Sequence, residues 1–110
     1  MINAGVTTHK GRILRIQVQG HALSDDYGKD LVCAEVSAVT TGLCNAIDEA
    51  GYEIPMKVKS GYVSISADGD DSHDLQVILK TGISQLKTIE YVHSDFLKIH
   101  MTEEIGRAHV

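Results

Sequence analysis

The sequence predicts one compact α+β domain with elements in the order ββαββαβ, a mostly antiparallel sheet packed with two helices. Three observations predict it. Two stretches repeat apolar residues at steps of three and four, the period of a buried helix face. Five shorter stretches alternate or run apolar at strand length. No linker or low-complexity tract separates them along the 110 residues, so residues 1–110 read as a single domain. A chain of this length can hide about two thirds of its surface in one core.

Strands at 2–8 and 13–19 flank the turn His9-Lys10-Gly11-Arg12. In the second, Leu14, Ile16 and Val18 alternate with Arg15, Gln17 and Gln19, leaving Ile13 as the one apolar residue on the polar side. Residues 20–28 are polar, include Asp25-Asp26, and exceed what a hairpin needs; long loops of this kind often carry function. The clearest helix follows, through Val32, Val36, Val39, Leu43, Ala46 or Ile47, and Ala50, with Asp30 as its N-cap and Gly51 at its far end. Strands at 54–59 and 62–67 surround Ser60-Gly61, and Pro55 marks the start or edge of the first. After an acidic turn at 68–74, Leu75, Leu79, Gly82, Leu86 and Ile89 trace a second helix. Residues 96–101 read as the last strand, with fraying expected beyond Thr102.

Composition narrows the function. Ten Lys and Arg against fifteen Asp and Glu give a net charge of −5, which argues against a general nucleic-acid binder and favours a basic partner. Without Trp, and with four Tyr and one Phe, base-stacking platforms are scarce. No run of eighteen apolar residues suggests a membrane span, and residues 1–10 lack a signal-peptide pattern, so cytoplasm is the expected compartment. The run 68–74 fails the EF-hand template, with no glycine at the sixth place and Leu79 where the chelating glutamate belongs. No phosphate loop or dinucleotide fingerprint occurs either.

The two cysteines, Cys33 and Cys44, make no disulfide scaffold and lack zinc-ligand spacing. With Asp30 as cap, Cys33 falls in the first helical turn, where unpartnered N–H groups and the helix dipole stabilise a thiolate. It flanks the apolar stripe, and Ser37 shares its face one turn on. Spacing leaves two readings of Cys33 open: an activated nucleophile, or a small apolar filler. Cys44, three turns further along, reads as structural. His9 lies in a hairpin turn and His73 in an acidic turn, and His93, His100 and His109 have no evident partner, whereas His21 opens the loop that leads directly to the Cys33 helix.

Gly20-His21-Ala22, Gly28, Asp30-Leu31-Val32-Cys33-Ala34 and Val36-Ser37-Ala38 together resemble the signature of the ribosomal-processing cysteine protease (Prp, YsxB-like) family of bacteria. That pattern reads Gly-His-Ala, a loop, then Gly-x-Asp-Ile-Val-Cys-Ala-x-x-Ser. The resemblance implies a cysteine endopeptidase with Cys33 as nucleophile and His21 as general base and acid. Gly20, Gly28, Asp30 and Ser37 match supporting positions, with Gly28 a flexible point in a loop that closes over the substrate. It implies as partner the N-terminal extension of the basic large-subunit ribosomal protein twenty-seven, cut after an aromatic-ended hydrophobic motif. It also implies a homodimer, and neither metal nor organic cofactor. Leu31 replaces the usual Ile, and Glu35 stands where Ala is common; helix geometry turns Glu35 away from Cys33. The alternatives are a noncatalytic ribosome-associated binding module and, third, a redox thiol, which lacks a resolving cysteine.

Overall fold

A computed structural model describes residues 1–20 and 27–105, with only the backbone at 27–30. The order is β1 (Ile2–His9), β2 (Arg12–Gln19), α1 (Tyr27–Glu49), β3 (Met56–Lys59), β4 (Tyr62–Ser66), α2 (His73–Val92) and β5 (Leu97–Glu103). This is the expected ββαββαβ arrangement. The sheet runs β3-β4-β2-β1-β5, antiparallel except where β1 lies parallel to β5. Strand directions make β2-α1-β3 and β4-α2-β5 crossovers between parallel strands, the first passing over β4 and the second over β2 and β1.

The core lies between one sheet face and the helices. Ile2, Ala4 and Val6 of β1, Ile16 and Val18 of β2, and Val63 and Ile65 of β4 alternate inward, as side chains on a pleated sheet must. Against them α1 sets Val32, Val36, Leu43 and Ile47, and α2 sets Leu75, Leu79, Ile83 and Leu86. The helices touch closely at Gly82, where a Cβ would lie 2.6 Å from the Leu43 side chain. The segment Leu31–Glu49 is long and apolar enough on average to cross a membrane, but its apolar stripe is spent on this core.

Caps and turns fix the ends. Lys10 and Gly11 both take positive φ, the two-residue turn that matches the twist of a hairpin. At the end of α1, Gly51 has φ 90°, and the N–H groups of Gly51 and Tyr52 bond to the carbonyls of Asp48 and Ile47, closing a Schellman motif. Ser72 caps α2, accepting from Leu75 N–H and sharing a hydrogen bond with the Tyr52 hydroxyl.

Several expectations need correction. Ile13 is buried because a β-bulge between Thr7 and Thr8 adds one residue to β2, which turns Ile13 inward and leaves Leu14 as the extra residue. Gln76 closes this irregularity: its side chain accepts from Ile13 N–H at 2.7 Å and donates to Ile13 C=O at 2.9 Å. The chain beyond Thr102 does not fray at once. Glu103 accepts from Thr8 Oγ1 and Lys10 N–H, and Glu104 pairs with Arg15 at 2.7 Å. Residues 106–110, His109 among them, lie outside the described residues.

The helix around Cys33 also starts earlier than expected. Asp30 is the fourth residue of α1 and not its N-cap, and Gly28 belongs to the first turn and not to a loop. An apolar stripe marks where a helix is buried, whereas the helix can extend a further turn into solvent at little cost once nucleated.

Candidate active site

Cys33 is half-buried against the core and lines a cleft of about 260 Å³ at one end of the sheet. The α1 wall carries Cys33 and Ser37; the floor is Val18 and Val63, and the β3–β4 hairpin closes the side with Val58 and Tyr62. Cys33 and Ser37 share this wall because four residues bring a helix round to the same face. An apolar floor beneath a thiol and a hydroxyl suits an extended peptide with a large apolar side chain.

Gly20, the last described residue before His21, lines the same cleft. Its N–H donates to Gly61 C=O at 3.1 Å, which joins the end of β2 to the β3–β4 turn. With φ 129°, Gly20 holds a conformation that residues with a side chain rarely adopt. His21 itself, and residues 22–26 of the predicted loop, lie outside the described residues, as do the side chains of 27–30, Asp30 included.

Four histidines are engaged elsewhere. His9 Nδ1 contacts Glu104 C=O at 2.8 Å, His100 Nε2 contacts Asn3 Oδ1 at 3.1 Å, and His73 begins α2 in solvent. His93 sits at the C-cap of α2, with Nε2 3.7 Å from Glu35 Oε1. That pair takes Glu35 out of the cleft, as helix geometry anticipated. Among the described residues, no histidine lines the cleft.

The helix-end argument for Cys33 changes with the new boundary. Counted from Tyr27, Cys33 is the seventh residue of α1, so its N–H belongs to the regular ladder and it stands beyond the first turn. The dipole effect fades past that turn. Ser37 is the hydroxyl one turn away on the same wall.

Cys44 is buried within the core cluster, and burial, with the Asp48 charge adding to it, pushes its thiol up from the usual range. It is a packing residue. A larger hollow of about 710 Å³ lies at the opposite end of the sheet, between the β1–β2 turn and the loop after β4. It is lined by charged side chains such as Arg12, Asp68 and Glu104 and holds no Ser, Thr or Cys among the described residues. At its rim the Arg15 guanidinium is held above its usual range, chiefly by its hydrogen bond to Glu104, with the Asp68 charge adding to it.

Sequence reasoning missed the contribution of the β3–β4 hairpin, including Lys59, whose ammonium lies 5.5 Å from the centre of the Tyr62 ring. A faint signal existed: Val58 is an apolar residue in a four-residue strand and remains 55% exposed.

A sequence profile for the family described as cysteine protease Prp matches residues 1–98. The ribosomal processing cysteine protease Prp of Bacillus subtilis is 34% identical over 107 residues, covering 90% of this chain and 96% of the relative. The crystal structure of the essential ribosomal processing protease Prp of Staphylococcus aureus with a substrate peptide aligns with a TM-score of 0.85. The two are 27% identical, over 93% of this chain and 100% of that one. The same S. aureus protease with a covalently linked product peptide gives 0.83 at 28% identity, again over 93% and 100%.

Proposed function

The chain belongs to the cysteine protease Prp family, and on that premise we propose that Cys33 and His21 form a dyad that cuts an extended peptide. The observation that carries this reading is the cleft shared by Gly20 and Cys33. His21 follows Gly20 directly in the chain, and consecutive Cα atoms are about 3.8 Å apart.

The chemistry follows from these residues. His21 takes the Cys33 proton, and the thiolate attacks the scissile carbonyl carbon, forming a C–S bond and an oxyanion. The Ser37 hydroxyl donates to that oxyanion from the same helix face. When the C–N bond breaks, the imidazolium protonates the departing amine. Water, deprotonated by the imidazole, then adds to the thioester and releases the acid and the thiol. The product peptide linked covalently in the S. aureus relative supports a covalent course.

The substrate is the N-terminal extension of large-subunit ribosomal protein twenty-seven. The B. subtilis relative is a ribosomal processing protease by name, which supports a ribosomal target, and the net charge of −5 favours encounter with a basic protein. The enzyme works as a homodimer in the cytoplasm. The test is cleavage of a peptide carrying that extension by wild type and by Cys33→Ala, with the oligomer size measured alongside. Cleavage confined to wild type is expected; cutting by Cys33→Ala would remove the assigned nucleophile, and an uncut peptide would remove the substrate.

A further inference from the structure

The two edges of the sheet differ. At β5, Ile99 N–H donates to Glu90 Oε2 at 2.8 Å and Leu97 N–H to His93 C=O at 3.2 Å, so α2 and its cap occupy the first half of that edge. At β3, no described strand pairs with the outer side. The bond from Ser66 N–H to Pro55 C=O sets the hydrogen-bonding phase of the β3–β4 pair. In an antiparallel ladder, residues alternate between bonding inward and facing out. Lys57 and Lys59 thus bond to Ser64 and Tyr62 in β4, and the N–H and C=O groups of Met56 and Val58 face outward.

Val58 joins this edge to the catalytic cleft. Its backbone groups face out, while its half-exposed side chain lines the hollow that holds Cys33. An extended peptide entering the cleft therefore runs past a row of donors and acceptors at strand spacing. We infer that the peptide substrate pairs with β3 as a sixth strand, bonding to the outward groups of Met56 and Val58 on its way to Cys33. This rests on the protease reading above. Main-chain pairing supplies affinity, and alternate side chains reach the cleft to supply selectivity. A second copy of the chain is the poorer occupant, because two such edges would bring Lys57 and Lys59 against each other.

The test uses substrate peptides methylated at one backbone nitrogen at a time, read by cleavage with wild type and by binding to Cys33→Ala. Strand pairing predicts losses of about tenfold at every second residue on one side of the scissile bond, with the residues between them unaffected. Val58→Pro removes the outward N–H at an edge position where proline is tolerated. Compared with Val58→Ala, which keeps that N–H, it is expected to bind peptide about tenfold more weakly at unchanged thermal stability. Cleavage without the alternation, or equal binding by the two Val58 variants, overturns strand pairing and leaves the protease reading standing. Alternation in binding without any cleavage by wild type supports the pairing and overturns the protease reading.

Discussion

The Cβ that Gly20 lacks would collide with the carbonyl oxygen of Met1 and lie 2.9 Å from the Cα of Ile2. The end of β2 can pass the start of β1 this closely only without a side chain. Gly20→Ala must move backbone and also leave a left-handed φ, costing about 3 kcal/mol or more in stability. Because Gly20 stands beside Cys33 in the cleft, cleavage is expected to fall even at temperatures where the variant is folded. Thermal unfolding and kcat/KM on the same sample check this; an Ala variant with wild-type values for both refutes the close approach.

The two thiols should separate cleanly in alkylation. Cys33 is partly exposed and Cys44 is enclosed in the core. Iodoacetamide at neutral pH is expected to modify Cys33 in the native protein and Cys44 only on unfolding, and His21→Ala to slow the Cys33 reaction. Mass mapping of the labelled peptides reads both results. Labelling of Cys33 at the same rate in His21→Ala would break the dyad.

Cys44 also sets a pH dependence. Its folded pKa is raised, so the unfolded thiol ionises first, at about pH 8.5, while the native thiol keeps its proton. Its contribution to stability is complete below that pH and is lost as pH rises towards the higher native value. Tm is therefore expected to fall between pH 8 and 10 with a shallower slope in Cys44→Ala than in wild type. The slope is the readout, because the lost sulfur lowers Tm at every pH. Equal slopes would contradict a buried thiol.

Ser37→Ala tests the oxyanion donor. Loss of one such donor costs about a hundredfold in kcat, with little change in KM. The side chain is exposed on its outer side, so stability is expected to stay within about 0.5 kcal/mol of wild type. A variant that loses only KM would make Ser37 a binding contact.

Gln76 supports the bulge that buries Ile13. Gln76→Leu leaves both backbone groups of Ile13 without their buried partner, at a cost of about 2–4 kcal/mol. Cleavage at low temperature should persist, since Gln76 is far along the sheet from the cleft lining. Denaturant unfolding with a peptide assay distinguishes this from a catalytic defect.

Local periodicity was enough to reveal each helix and strand, the inward set Val32, Val36, Leu43 and Leu75, Leu79, Leu86, and the Gly51 stop. Those signals lie within a few residues of one another, because side-chain direction along a helix or strand is set by its own backbone. The motif block from Gly20 to Ser37 likewise sits in one continuous stretch, which is why Cys33 could be singled out. The tertiary structure decided what depends on residues distant in sequence: the parallel pairing of Ile2 with Leu97, the bulge that turns Ile13 inward, and the β3–β4 hairpin that walls the cleft beside Cys33. It also moved the start of α1 from Asp30 to Tyr27 and so took Cys33 out of the first turn. Pairing and burial are settled by which faces meet in the assembled core, a condition that no short window of sequence contains.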